Sequence, residues 1–393
     1  MKKRKRIPYG KHFIDNSDIK YVGSVLRSSN LTQGSKVKEF ENKIAKYTGA
    51  KFAVAVSSCS AGLHLAMVAA NVKNKKVITS PISFVSTANA ILHAGGIPKF
   101  EDIDTDTINL NLKNLNSKIK NMKNLKAIIP VHFSGLACDM SFLDQKLIKK
   151  KNIYIVEDAA HALGARYADG EKVGCCKYSD MTVFSFHPVK LIAAGEGGVI
   201  TTNNKILYEK LLALRTHGIV QNLKLNLPNN SKKKKTPPWY YEMQDLGFHY
   251  RITDIQCGLA ISQLKKINSF LSKRKEIANY YDTKFTNFEN LRPFQNLKKR
   301  KFSANHLYVL EIDFNKINRN KEDIVNALRK KHIYTQVHYI PIYKHPFYKK
   351  NFKFKNLKNT EYYYKNCLSI PIFFSLSNNE QKYVINTLKD LIK

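Results

Sequence analysis

The feature that most limits the architecture is an alternation running through the first two hundred residues. Short apolar runs at 51–56, 76–79, 97–101, 127–131, 154–157, 181–185 and 198–201 recur, with helical patterning between several of them. Such runs predict strands buried on both faces, the condition of a parallel sheet wrapped by helices. The expected fold class is α/β, with a mostly parallel mixed sheet. Amphipathic helices are expected at 15–28 and 35–48, ahead of that sheet.

Beyond the alternation, the stretch 221–238 shifts to Asn, Lys and Pro without periodicity and reads as a surface loop. A helix from 252 through 271 and onward to 284 then leads to a second unit, with strands at 306–314 and 334–339 and helices at 321–331 and 379–392. A chain of 393 residues is long enough for two domains. They are expected as a large domain, 1–255, and a small C-terminal α+β domain, 256–393. No internal repeat is visible.

In an open α/β sheet, ligands sit beyond the carboxyl ends of the strands. The run 153–157 ends there in Asp158, with His161 three positions on. Asp158 has two readings: a helix N-cap, the common task of an Asp after a strand, or a carboxylate that keeps a pyridinium nitrogen protonated. Lys190 follows the run 181–185 and precedes Ala-Ala-Gly-Glu-Gly-Gly at 193–198. A lysine so placed is a candidate nucleophile, because burial lowers the amine pKa and frees its lone pair. At 54–66 a short strand breaks into Ser and Gly before an apolar helix, so that backbone N–H groups and the positive helix end converge on one point suited to a phosphate. Any Ser-capped helix looks similar. Together with Lys190, these pieces favour the cofactor role for Asp158, and Ser185 supplies a further hydroxyl to the same phosphate.

In this order the pieces resemble the sugar-nucleotide aminotransferase family of the DegT/DnrJ/EryC type, pyridoxal-phosphate enzymes of the aspartate aminotransferase fold (fold type I). The likeness spans nearly the whole chain: Leu-Thr-Gln-Gly at 31–34, then 81–90, 158–164, 185–198, 215–218, 239–244, 250–256 and 337–343. The resemblance implies Lys190 as the lysine bonded to pyridoxal 5'-phosphate, Asp158 as partner of its pyridine nitrogen, and His161 beside the ring or its O3'. It implies Ser60, Ala61 and Ser185 at the phosphate and Phe84 stacked on the ring. Thr32, Arg251, His338 and Tyr343 are assigned to the sugar-nucleotide pocket. One departure is His249, which stands where the family has an Asn reaching from a partner subunit to the cofactor phosphate; a histidine also donates a hydrogen bond there.

Segments 79–85, 239–244 and 336–343 look like the branch of the family that aminates the C4 ketone of a UDP-linked 4-keto-6-deoxy-N-acetylhexosamine on the way to pseudaminic acid. The resemblance thus implies L-glutamate as donor, ping-pong kinetics and a homodimer with shared sites. Rival readings are a dehydratase of the same family, a transaminase for another nucleotide-linked ketosugar such as a perosamine precursor, and a non-enzymatic regulator on the same scaffold. The dehydratases replace the lysine with histidine or add an iron–sulfur cluster; Lys190 is present and the cysteines lack cluster spacing. A regulator is expected to have lost Lys190 or Asp158, and both remain.

Composition excludes other classes. The net charge of +36, from 66 basic and 30 acidic residues, raises nucleic acid as a partner. The lysines are spread along the whole chain, however, and the dense runs at 232–235 and 298–301 lack interleaved aromatics, so solvated loops are expected instead. No run of about 18 apolar residues is present, so no membrane span is expected. Met1-Lys2-Lys3-Arg4-Lys5-Arg6 lacks an apolar stretch and does not read as a secretory signal. Six cysteines without metal spacing or a CxxC pair are expected to be reduced thiols in a cytoplasmic protein.

Overall fold

The computed structural model describes residues 6–221, 239–355 and 357–392. Its centre is a seven-stranded sheet of β1 (Phe52–Val56), β2 (Lys76–Thr79), β3 (Ile97–Phe100), β4 (Leu125–Ile129), β5 (Tyr154–Asp158), β6 (Met181–Ser185) and β7 (Gly198–Thr202). The order is β1-β7-β6-β5-β4-β2-β3. Neighbours pair in parallel except at β7, which runs antiparallel to both β6 and β1. The expected mostly parallel mixed sheet is thus present.

Side-chain alternation explains why these runs are mostly apolar. In β1, Ala53 and Ala55 enter one apolar layer with Phe40 and Ile44, while Val54 and Val56 enter the opposite layer with Leu63 and Leu65. Both faces are covered, so a charge is tolerated only where it is hydrogen-bonded, as at Glu157 of β5. The helices Asn16–Leu26 and Ser35–Thr48 precede the sheet as expected.

The long helix expected from 252 to 284 is two helices, Asp254–Leu264 and Ile267–Phe285. Five more strands occur among the described residues. β8 (Ile219–Gln221) and β9 (Tyr241–Met243) form an antiparallel pair, while β10 (Leu291–Pro293), β11 (Tyr308–Ile312) and β12 (Cys367–Ile370) form an antiparallel sheet in that order. Against it pack the helices Lys321–Lys330 and Asn378–Ile392, through Ile324, Leu328, Val384 and Leu388. The strand expected at 334–339 is irregular backbone: Tyr334 N–H donates to the Ile7 carbonyl and Gln336 makes one antiparallel bridge to Ser369. The loop expected at 221–238, with its lysine run 232–235, lies outside the described residues apart from Gln221. In the run 298–301, Lys299 pairs with Asp106 at 2.6 Å, and Arg300 is packed against Asp282 at 3.0 Å, so that run is not simply a solvated loop.

The two cores meet along Ile267–Phe285. Ile267 and Phe270 enter the large core, whereas Ile277, Ala278, Tyr281 and Phe285 enter the small one. Helix Asp254–Leu264 belongs wholly with the large core through Cys257, Ala260 and Ile261, and Ile7 from the N-terminus belongs with the small core. Apolar packing therefore divides the chain inside the helix Ile267–Phe285 and sends the N-terminal segment across, in contrast to a single cut after residue 255.

Candidate active site

Beyond the carboxyl ends of β5 and β6 lies a cavity of about 700 Å³. Ser60, Phe84, Asp158, His161, Ser185, Lys190 and His338 all line it, so the structure brings together seven of the residues singled out from sequence.

One end is an anion cradle. Helix Cys59–Ala69 begins here; Ser58 caps it by accepting from Ala61 N–H at 3.1 Å, and the first helical bond runs from Gly62 N–H to the Ser58 carbonyl. The amides of Cys59 and Ser60 remain for an external acceptor, at the positive helix end. Gly198 permits this arrangement: a Cβ there would lie 2.6 Å from the Ser58 carbonyl carbon and oxygen. Ser185 stands opposite Gly198 in the ladder and presents its hydroxyl to the same space. Ala61 differs from expectation. Its amide is used internally by the cap and it does not line the cavity.

Asp158 closes the other side of the floor. It is 4% exposed; one carboxylate oxygen accepts from Thr87 Oγ1 at 2.7 Å and the other from Ala160 N–H at 3.1 Å. No helix starts at 159–163, so the carboxylate caps a tight turn and not a helix. Beneath it, the fully buried Glu157 accepts from His132 Nε2 at 2.7 Å, Tyr167 Oη at 2.6 Å and Thr182 Oγ1 at 3.0 Å, and also from Ser179. His132 lines the cavity and is fixed from its other side, where Nδ1 accepts from Cys138 N–H at 2.9 Å.

Lys190 is half-buried, its exposure directed into the cavity. Burial pushes its amine down to about 8, against the opposing pull of Cys59 and Asp158. Such an amine has a substantial free-base fraction near neutral pH. His161 Nδ1 accepts from Ser134 N–H at 3.3 Å, which leaves Nε2–H to meet Tyr339 Oη at 3.2 Å. Burial and then Lys190 hold this imidazole well below its usual range, so it is neutral. His338 is likewise lowered by burial, to about 3, and its Nδ1 shares a hydrogen bond with Ser369 Oγ at 2.9 Å.

Four expected residues lie elsewhere in the single chain. Thr32 makes a backbone bridge with Thr253, in a segment tied down where Asp254 accepts from the Gly34 and Lys36 amides. Arg251 lines a separate cavity of about 310 Å³ with Lys38, Glu41 and Arg215. Tyr343 is 4% exposed and donates to Glu361 at 2.8 Å, a packing role outside the main cavity. His249 is exposed and stacks on His217 with ring centres 5.3 Å apart. Conversely, Thr87, Tyr339 and Tyr9 were missed, because Thr87 reaches Asp158 from a helix 71 residues earlier in the chain and Tyr9 reaches His338 from the N-terminus.

The cradle, the Asp158 carboxylate and the low-pKa Lys190 fit pyridoxal 5'-phosphate: an acceptor-free amide pair for the phosphate, an acid for the pyridine nitrogen and an amine for the aldehyde. Comparison with known proteins agrees. The chain is 39% identical to the UDP-4-amino-4,6-dideoxy-N-acetyl-beta-L-altrosamine transaminase of Campylobacter jejuni over 98% of each protein. It superposes with a TM-score of 0.87 and 31% identity, over 99% of each chain, on Helicobacter pylori PseC, an aminotransferase involved in the biosynthesis of pseudoaminic acid. A Streptococcus pneumoniae protein described as a sugar aminotransferase matches in its PLP form with a TM-score of 0.85 and 29% identity over 98% of each chain. Residues 12–389 match the DegT/DnrJ/EryC1/StrS aminotransferase family, whose members depend on pyridoxal phosphate, and the chain belongs to that family.

Proposed function

We propose that the chain transfers an amino group from L-glutamate to the C4 ketone of a UDP-linked 4-keto-6-deoxy-N-acetylhexosamine, forming UDP-4-amino-4,6-dideoxy-N-acetyl-β-L-altrosamine. The observation that carries the chemistry is Lys190, an amine lowered to about 8 within the cavity floored by Asp158. The substrate rests on the full-length likeness to relatives that bear that name. When bound, pyridoxal phosphate supplies an electron sink for the carbon–hydrogen bond that breaks. Lys190 takes the proton from the glutamate Cα and, in the second half-reaction, delivers one to C4 of the sugar. Asp158 would hold the positive charge of the pyridine nitrogen, and the neutral His161, tied to Tyr339 Oη through Nε2, would line the cofactor's space. The wall of Gln336, His338 and Tyr339 supports the sugar nucleotide.

The active unit is a homodimer. Trp239, Tyr241, Met243 and Leu246 are each more than half exposed around β9, an apolar surface that a second copy would cover. Placing His249, Thr32 and Arg251 on that side gives each a route to the partner's cavity, with His249 at the phosphate. A cytoplasmic location accords with six unpaired, buried cysteines and with the absence, among the described residues, of a helix long and apolar enough to cross a membrane.

The test is a panel of UDP- and dTDP-linked 4-ketosugars with L-glutamate and purified protein. Amination of the UDP-linked N-acetylated ketosugar with highest kcat/KM supports the reading. Preference for a dTDP sugar overturns the substrate assignment, and an inert protein that cannot be reduced onto the cofactor at Lys190 by borohydride overturns the reaction.

A further inference from the structure

Lys190 also borders a second, far smaller space. It is a void of about 10 Å³, room for at most one water, shared with Lys11, Gln263, Phe270 and Arg274. Arg274 is 3% exposed and projects from the helix Ile267–Phe285. Its Nη1 donates to the carbonyl oxygens of Ile372 at 3.0 Å, His306 at 3.1 Å and Asn305 at 3.4 Å. No carboxylate forms an ion pair with it among the described residues. Burial lowers this guanidinium to about 10, which still leaves it charged at neutral pH. A buried cation held only by neutral carbonyls is costly, and the three carbonyls come from two separate segments that it pins to one helix.

The charged and titratable groups around Lys190 give that cost a purpose. Asp158 reaches it from β5, Cys59 from the helix start, His161 from the turn after β5, and His306 and His338 from the small domain. Tyr9 and the exposed Glu196 share the large cavity, while Lys11 and His12 share the void. The Cys59 thiol is pushed well up by burial and so carries no charge near neutrality. The three histidines are held low by burial and are neutral too. Asp158 is then the nearby buried carboxylate, and its pull toward the ammonium works against the burial that frees the Lys190 amine.

We infer that Arg274 is a positioning residue for Lys190: its uncompensated buried charge offsets Asp158 across a nearly dry gap and keeps the lysine amine free to bond a carbonyl. The purpose rests on the transaminase reading, but the test does not use turnover. Cofactor-free protein is pulse-labelled with acetic anhydride at a series of pH values, and acetylation of Lys190 is read by peptide mapping. The wild-type midpoint is expected near 8. In Arg274→Met the midpoint rises by roughly half a unit, about a threefold fall in free amine at neutral pH. Arg274→Lys, which keeps the charge and loses the fork, leaves the midpoint in place. If Arg274→Met does not fold, Arg274→Gln keeps donors for the carbonyls and is expected to show the same rise. An unmoved midpoint in a folded neutral variant overturns the inference, as does an equal rise in Arg274→Lys, which would make packing and not charge the cause. Borohydride mapping of the wild type with cofactor tests the reaction separately.

Discussion

The strand-end wall of the cavity is anchored on the sheet, whereas the wall at 336–340 hangs from residues of the small domain. On the first wall, Ser58, Asp158 and Ser185 sit at the ends of elements whose backbone is buried on both faces. On the second, Gln336 bridges to Ser369, His338 shares a bond with the same Ser369, and the His338 carbonyl accepts from Tyr363 Oη at 2.6 Å. The first wall carries the acid, the amine and the phosphate cradle; the second carries neutral donors and aromatic surface. Bond-making groups therefore rest on the stiffer support, and recognition is assigned to the wall that belongs to another core.

If that contrast holds, changes on the first wall should act on kcat and changes on the second on KM. The largest effect is expected for Lys190→Ala, which should lower kcat by ~10⁴-fold or more because nucleophile and base vanish together; near-normal turnover would break the assignment. Next is Asp158→Asn, with kcat down roughly 10²- to 10³-fold as an electrostatic stabiliser is lost. Circular dichroism should show the fold retained, since the amide can keep the Thr87 and Ala160 contacts; a drop in melting temperature with unchanged turnover per folded molecule would make Asp158 structural.

The pH response comes third. Below about 8 the free amine of Lys190 should fall roughly tenfold per unit, and the rate of cofactor capture by cofactor-free protein with it. The linked stability has a definite sign. The folded pKa lies below the ordinary 10.5, so between about 8 and 10.5 the unfolded chain binds the extra proton and this group adds stability as pH rises. Melting curves should show that gain in the wild type and lose it in Lys190→Met. The smallest effect is Tyr339→Phe: removing the partner of His161 Nε2 should raise KM about fivefold and leave kcat within about twofold. A larger effect on kcat would erase the distinction between the walls.

The same contrast separates what could be read from sequence. The sheet was legible because strands covered on both faces are mostly apolar, and the boundaries at 76–79 and 181–185 coincide with β2 and β6. Ser60, Asp158, Ser185 and Lys190 were legible because strand ends and a helix start fix their place locally. Tyr339 and Arg274 were not, since nothing near them in sequence says that they meet His161 or Lys190. The small strands β10 and β12 were missed for a similar reason: three- and four-residue segments give periodicity too little to register. Thr32, Tyr343 and Arg251 carried family likeness but no local signal, and the single chain puts them in a backbone bridge, a packed hydroxyl and a separate pocket.

Ile7 N–H donates to the His332 carbonyl, Tyr334 N–H returns to Ile7, and Ile372 N–H donates to the Tyr9 carbonyl. Residues 7–9 are made long before their partners at 332–334 and 372, so this strap stays undocked until those later residues have been synthesised. Tyr9, a lining residue of the cavity, arrives with it. That side of the pocket therefore takes shape only once residue 372 has been made, which bars a shorter nascent chain from presenting the complete lining.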